Sequence, residues 1–465
     1  MRTKIAHFFL LFKQAITGSE KDFTTGSIDR AIFLLSVPMV LEMLMEGLFA
    51  LVDIFFVARL GKEATATIGL TEVVMSQVVA IAFGLSMATT AMVARRIGEK
   101  DREGANIAAM QSIFIGIIIC AVIAVFFFFT TEHILRFMGG SEDLIRIGAG
   151  YTRVLLTGSS TLFFIFLLNA IFRGAGDAAI AMRTLWLANG INIILDPILI
   201  FGLGPFPEMG VEGAAISTTI GRGVGVCYQV YHLVNGKSLV HLQWRHVKWV
   251  GNIIVRLLKV SFTGVLQFAI TTTRWLFIIR IIALFGDAAV AGYSIGIRII
   301  IFTILPAWGM ASAASTLVGQ NLGAGQPDRA EKSVWRSAFF NMIFLTSISV
   351  LFIISAPWLI PLFTHDPEVI HQGVLCLRII CLGYVFYAYG MVIGQAFNGA
   401  GDTVTPTLIN LVAFWFLQIP LCYLFAKYLT MGPVGVYWGI SISESILALI
   451  AIAVFKRGKW KTVKI

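Results

Sequence analysis

The sequence predicts an all-α polytopic membrane protein, with twelve transmembrane helices in two six-helix lobes related by a parallel internal repeat. Three observations predict it. The 465 residues are 58% hydrophobic and only 13% charged, about half the charged fraction of a soluble domain. The apolar residues are gathered into runs long enough to cross a bilayer as helices. Motifs of the first half return in the second at one constant offset, 225 residues.

The expected spans are approximately 32–57, 69–94, 107–131, 147–171, 179–203, 211–234, 253–284, 289–317, 334–360, 373–397, 404–426 and 433–455. An even number places both termini on one side, and Lys and Arg choose that side. Arg30, Arg95, Arg96, Lys100, Arg102, Arg173, Lys237, Arg245, Lys248, Arg329 and Lys332, with Lys21 and the two termini, fall on the terminal side. Arg59, Lys62, Arg136, Arg146 and Lys427 fall on the other. The bias is about fourfold, which predicts cytoplasmic termini in a cell (cytoplasmic or inner) membrane. Residues 1–31 are then a cytoplasmic N-terminal segment, 32–234 an N-lobe, 235–252 a cytoplasmic linker, 253–455 a C-lobe and 456–465 a basic cytoplasmic tail. Ile5 to Phe12 is apolar but short, is closed by Lys13 and lacks a small-residue cleavage site. It reads as a surface amphipathic segment or a frayed tail rather than a signal peptide.

The repeat is read from Phe172-Arg-Gly-Ala-Gly-Asp177, which returns as Phe397-Asn-Gly-Ala-Gly-Asp402. Ser36 returns as Ser261, Gly61 as Gly286, Gly98 as Gly323, Ala105 as Ala330 and Gly210 as Gly435. Six spans per half insert both halves the same way up, related by an axis along the membrane normal, with a cleft between them as the expected substrate path. The repeat fails at charges: Glu42 faces Gln267, Glu46 faces Thr271, Asp53 faces Ile278 and Asp196 faces Leu421. Only Glu444 restores an acid to the interior of the second-half spans, so chemistry needing negative charge is expected in the first half.

Glu42, Glu46 and Asp53 all lie in the first span. Steps of four and seven residues place them within an arc of roughly 40° on a helix. Each charge at mid-membrane costs about 2.5–3.5 kcal/mol, so the stripe should face protein or water. Two readings stand: acids paired with Arg of neighbouring helices, Glu42 foremost, or a cation or proton pathway. In span five Asn192 and Asp196 share a face one turn apart. Pro197 loosens carbonyl oxygens beside them, offering hard ligands for Na⁺ or a proton held between carboxylates. Depth along the spans puts Asp53, Tyr151, Asn192, Asp196 and Thr218 in the outer half of the first lobe. Asn169 is about 27 Å deeper than Tyr151 at roughly 1.5 Å per residue, outside that cluster. Pro38 is a hinge or a static kink in span one. Asp196 as a purely structural group remains the plain alternative.

Other classes are weaker. The net charge of +10 sits at the ends of apolar runs, which argues against nucleic-acid binding. Cys120, Cys227, Cys376, Cys381 and Cys422 lie inside apolar runs with no metal-ligand spacing. The histidines are scattered. No nucleophile–base pair is found at membrane depth, so no enzyme and no cofactor are expected. Gly-Ala-Gly-Asp lacks the following Lys-Ser/Thr of a phosphate loop and reads as a tight turn. Gly221-x-x-x-Gly225 reads as close helix packing. Arg274, Arg280 and Arg298 lie inside spans, and one or more is expected to pair with acids such as Glu72 or to snorkel. A passive channel is a further option, against which a strict drug requirement for proton flux would argue.

Val318-Gly-Gln-Asn-Leu-Gly-Ala-Gly-Gln-Pro-Asp-Arg-Ala-Glu331, Val52-Asp53, Phe-Arg-Gly-Ala-Gly-Asp and Asn192…Asp196-Pro197 together resemble the MATE (multidrug and toxic compound extrusion) family over essentially the whole chain, most closely its DinF-like branch. The resemblance implies alternating-access antiport of drugs or organic cations against H⁺ or Na⁺, with the functional acids in the first lobe. It implies a cation-coupling network of Asp53, Tyr151, Asn192, Asp196 and Thr218, with Na⁺ as one occupant at Asp53, Asn192 and Asp196. Glu46 and Asn169 match positions near the drug, and Glu42 and Phe49 are placed with them in the substrate cavity. Pro38 matches the span-one bend. Other branches carry acids in spans seven and ten, where this chain has Gln267 and none. The expected partners are cationic amphipathic small molecules and the lipid bilayer, for a monomer. A flippase for lipid-linked precursors is the alternative within the related superfamily, but the acidic stripe disfavours a pyrophosphate cargo.

Overall fold

The structure is a computed structural model that describes residues 2–18, 22–60, 62–236 and 238–465. Lys21, Gly61 and Lys237 lie outside these residues. The first half comprises α1 (Arg2–Thr17), α2 (Ile28–Val57), α3 (Lys62–Gly98), α4 (Arg102–Phe137), α5 (Glu142–Thr157), α6 (Ser159–Gly174), α7 (Ala178–Phe201) and α8 (Gly210–Val234). The second comprises α9 (Gly251–Ala283), α10 (Asp287–Gly323), α11 (Pro327–Leu359), α12 (Pro367–Leu382), α13 (Tyr384–Ala400), α14 (Val404–Asn410), α15 (Ile419–Tyr423) and α16 (Pro433–Lys456). π-Helical turns at Leu411–Gln418 and Leu424–Tyr428 continue α14 and α15 into one crossing.

Local chemistry sets these boundaries. Asp101 caps α4 by accepting from the Gly104 N–H at 2.8 Å, and Ser141 caps α5 by accepting from Leu144 at 3.2 Å. Gly202, in left-handed backbone at φ 69°, ends α7. Lipid-facing positions stay apolar, as on α4, where Val122, Val125, Phe126, Phe128 and Phe129 are exposed.

Among the described residues ten helices are long and apolar enough to cross a membrane, and an eleventh crossing is the pair α12–α13, bent by 58°. The twelfth expected span is α8, a 25-residue helix packed on α5, α6 and α7. Its glycines and polar residues hold its hydropathy below that of the others. Two expected spans are broken at a glycine. Span four divides into α5 and α6 at Gly158, and span ten into α12 and α13 at Gly383. The expected surface segment is the helix α1, which lies on α2 with Phe8 edge-on to Phe33 at 5.7 Å.

The repeat recurs as geometry. Gly176 and Gly401 both take φ 83° in the Gly-Ala-Gly-Asp turns. The Asp177 N–H reaches Phe172 O at 2.8 Å, and the Asp402 N–H reaches Phe397 O at 3.0 Å. The lobes meet through pairs of equivalent contacts. Gly84 of α3 packs on the Ser261–Val265 backbone of α9, and Gly309 of α10 packs on Met39 and Val40 of α2. Gly98 lies on the Gln320 carbonyl, and Gly323 lies on the Arg95 carbonyl.

These last contacts seal the end of the bundle that carries both termini. Thr316 Oγ1 donates to Arg173 O at 3.0 Å, and Gln320 Nε2 donates to Gly174 O at 3.2 Å, each between lobes. Arg329 donates to Phe23, Thr25 and Gly26 carbonyls, and Arg336 pairs with Asp29 at 2.6 Å. The C-terminal tail crosses the same face. Arg95 Nη2 donates to Val463 O at 2.5 Å, while Lys461 pairs with Glu331 at 2.6 Å, a bond that holds its ammonium above the ordinary lysine range. The linker is also fixed. His246 lies 3.2 Å from Glu103, and Gln111 bonds Lys248 O at 2.7 Å and the Val250 N–H at 3.1 Å.

Candidate functional site

A cavity lies between the lobes, with an aromatic wall. Phe83 of α3 stacks on Phe268 of α9 at 5.3 Å and meets Phe166 of α6 at 5.2 Å and Trp308 of α10 at 6.3 Å. Met43, Met87 and Arg173 complete its first-lobe side, and Ser312, Ser315 and Gln395 line the second. A mostly apolar wall with a few fixed polar groups suits an amphipathic guest.

The first lobe also builds a buried polar cluster, between α7 and α8. Asn192 and Asp196 stand one turn apart on α7, at 2% and 0% exposure. Glycines let α8 come close. Gly213 sits against Leu199 O and Gly221 against Ala188 O, where a Cβ would lie 2.6 Å away. That approach brings Ser217 and Thr218 to α7. Asn192 Nδ2 donates to Asp196 Oδ1 at 3.2 Å, Ser217 Oγ at 3.2 Å and Thr218 Oγ1 at 3.1 Å. The Ser217 hydroxyl donates to Asp196 Oδ1. The other oxygens, Asp196 Oδ2 and Asn192 Oδ1, are buried with no hydrogen-bond partner among the described residues. Tyr151 of α5 is buried against Ile200, Val211 and Ala214. Asp53 is half-buried on α2. Asp53, Asp196 and Arg222 all lie within electrostatic reach of Tyr151. Among the described residues no hydrogen bond or ion pair joins Asp53 to Asp196.

The structure thus brings Asn192, Asp196 and Thr218 into contact, with Tyr151 and Asp53 nearby. The residues expected around the drug are placed differently. Glu42 and Asn169 are each 1% exposed and bond one another at 3.0 Å. Asn169 also accepts from Gln229 at 2.5 Å, and Arg173 lies 3.7 Å from Glu42. They form a closed network behind the cavity rather than its open surface. Phe49 is 7% exposed, with the Arg222 guanidinium 5.5 Å from its ring centroid. Glu46 is half-buried within electrostatic reach of Arg222. Pro38 lies inside α2, which stays one helix from Ile28 to Val57. Beyond it α2 is held by α7: Trp186 Nε1 donates to Leu41 O at 3.2 Å.

Sequence reasoning missed Ser217, Arg222 and Gln229. Arg222 had a signal: it is four residues after Thr218 and shares its helix face. Of the arginines inside spans, Arg274 pairs with an acid of its own lobe, Glu444 of α16, at 2.6 Å, and Arg298 lies within electrostatic reach of Glu72. Among the described residues no group of three or more His, Cys, Asp or Glu is arranged to hold a metal ion. The cluster at Asp196 is a hard-oxygen site with one carboxylate in contact, which suits a proton or a monovalent cation better than a divalent metal.

The sequence pattern of the MatE family matches residues 38–198 and again 264–424, two matches that begin 226 residues apart. The chain is 27% identical to a probable multidrug resistance protein NorM of Thermotoga maritima, over 97% of each chain. It is 24% identical to the multidrug export protein MepA of Staphylococcus saprophyticus, over 93% of this chain and 94% of that one. It superposes with a TM-score of 0.88, at 28% identity over 94% of this chain and 97% of the other, on the outward-facing conformation of a multidrug resistance MATE family transporter of the MOP superfamily.

Proposed function

The chain belongs to the MATE family of transporters, and on that premise we propose that it is a secondary active antiporter that exports organic cations from the cytoplasm in exchange for H⁺ or Na⁺. The observation that carries the coupling site is the buried Asn192–Asp196–Ser217–Thr218 cluster, in which Asp196 Oδ2 and Asn192 Oδ1 have no partner among the described residues. Buried oxygens of this kind are satisfied by a proton on the carboxylate or by a small hard cation. Asp53 supplies the second negative charge, and Tyr151 closes the cluster toward α5.

The cycle follows from linkage. An ion can drive export only through a difference in its affinity for the two states of the lobe. The seal at the terminal end supports reading this conformation as closed to the cytoplasm, with the termini cytoplasmic and 32–234 and 253–455 as the moving lobes. Ion entry at Asp53 and Asp196 then biases the first lobe and displaces the substrate from the aromatic cavity. Glu42, tied to Asn169 and Arg173, is in this reading a structural acid, and Glu46 is the acid left to attract cations. Pro38 lets α2 bend as the lobes exchange contacts. A flippase for lipid-linked pyrophosphates is disfavoured, since Arg173, which lines the inter-lobe cavity, has Glu42 3.7 Å away, and Arg274 beyond it is paired with Glu444.

Ethidium efflux from cells expressing wild type, Asp53→Asn or Asp196→Asn, with pH and Na⁺ varied independently, tests this. Both substitutions should abolish ion-driven efflux at unchanged protein levels. Efflux that follows pH and ignores Na⁺ identifies H⁺, and the reverse identifies Na⁺. Wild-type efflux from both variants would refute the first-lobe site.

A further inference from the structure

The second lobe holds a buried charged pair that the proposed coupling site does not use. Arg274 of α9 is 5% exposed and Glu444 of α16 is 8% exposed. Arg274 Nη1 donates to Glu444 Oε1 at 2.6 Å and to Gln418 Oε1 at 3.2 Å. The guanidinium carbon lies 3.6 Å from the Phe414 ring centroid. The group is clamped, yet both bonds leave from one nitrogen. Among the described residues Nε is buried without a hydrogen-bond partner, and Nη2 makes no bond. The unused Nε–Nη2 edge is the fork that matches a carboxylate with two parallel bonds.

Arg274 lines a cavity of about 200 Å³ whose walls also carry Gln267, Phe268, Trp308 and Asn398. Asn398 is 1% exposed, and neither its Nδ2 nor its Oδ1 has a partner among the described residues. Met87, Phe268, Trp308 and Gln395 line both this cavity and the inter-lobe one, so the two are contiguous. Glu444 lines the same cavity, and its charge and that of Arg274 balance one another. What the pair leaves over is hydrogen-bond donors, at Nε and Nη2 of Arg274, which an anion can accept from.

We propose that this second-lobe cavity is a binding site for aromatic carboxylates, distinct from the cation-coupling cluster of the first lobe. The carboxylate takes the free edge of Arg274, and the aromatic body lies against Phe268 and Trp308. Arg274 is the binding residue. Glu444 and Gln418 are positioning residues that hold the guanidinium from its other side.

Equilibrium dialysis on the purified full-length protein in lipid nanodiscs tests this, with 2-naphthoate as probe and 2-naphthamide and 2-naphthylmethylammonium as size-matched neutral and cationic controls. Wild type should bind 2-naphthoate in preference to both controls. Arg274→Lys, which keeps the charge and loses the fork, should weaken binding by about tenfold, the worth of one charge-assisted hydrogen bond. Because Arg274→Gln alone strands a buried Glu444, the double variant Arg274→Gln/Glu444→Gln gives a neutral cavity in a folded protein, and it should lose 2-naphthoate binding. Undetectable 2-naphthoate binding by wild type, or equal binding by the double variant, would overturn the proposal. So would a preference for the ammonium that disappears in Glu444→Gln.

Discussion

Lys100 stands at φ 61°, in left-handed backbone, at the turn between α3 and α4. Its equivalent in the second half is Gly325, at φ 70°. The two turns match: the Asp101 N–H reaches Arg96 O at 2.9 Å, and the Gln326 N–H reaches Asn321 O at 2.8 Å. A side chain in left-handed backbone costs about 1–2 kcal/mol, partly offset by the lower unfolded-state entropy of a residue other than glycine. Lys100→Gly should therefore stabilise the protein by up to about 1 kcal/mol, read as a higher melting temperature in detergent. A lower one would contradict this explanation of the turn. At this scale the acids were legible in the sequence, because a charge in an apolar run is costly enough to demand a reason. Ser217 was not, because a serine in a membrane helix is satisfied by its own backbone, and Ser217 Oγ also lies 3.0 Å from Ala214 O. Arg222 and Arg274 show the limit of reading by position. Phe49 and Arg274 are equivalent in the repeat, and Arg222 of α8 reaches the Phe49 ring, so each lobe sets a guanidinium beside its first helix from a different place in the chain.

At the scale of elements, the lengths and order of the helices followed from hydropathy, but their breaks did not. Gly158 and Gly383 divide α5 from α6 and α12 from α13, and they too are 225 residues apart. Hydropathy is continuous across both, so only the repeat carried a signal. Glycines also set how closely helices approach. Gly98 and Gly323 lie directly on carbonyls of the opposite lobe, with no room for a Cβ. Gly98→Ala should force these helix ends apart and shift the population away from the sealed form. Spin labels placed on the terminal ends of the two lobes should then report a longer mean distance by double electron–electron resonance. An unchanged distance distribution would contradict the role given to this contact.

At the scale of the whole molecule, the two-lobe architecture was legible because duplication leaves a constant offset. The repeat also placed a cleft between the lobes, but the lining of the cavity was not legible. It depends on which aromatic side chains of α3, α6, α9 and α10 converge, and apolar residues in apolar helices carry no sequence contrast. For the closed network at Glu42, where α2, α6 and α8 meet, the sequence offered pairing with an Arg of a neighbouring helix, which Arg173 of α6 supplies, but it placed Asn169 near the drug and did not mark Gln229. The molecule thus separates its functions by position, with an aromatic cavity between the lobes, a proposed ion site deep in the first, and a clamped arginine in the second. The proposed coupling is tested most directly by equilibrium binding of ethidium to the purified protein as pH and Na⁺ are varied separately, for wild type and Asp196→Asn. Linkage requires that an ion which drives export also weaken substrate binding. H⁺ or Na⁺ should therefore weaken ethidium binding to wild type and leave binding to Asp196→Asn unchanged. An equal ion response in both proteins would contradict a coupling site at Asp196.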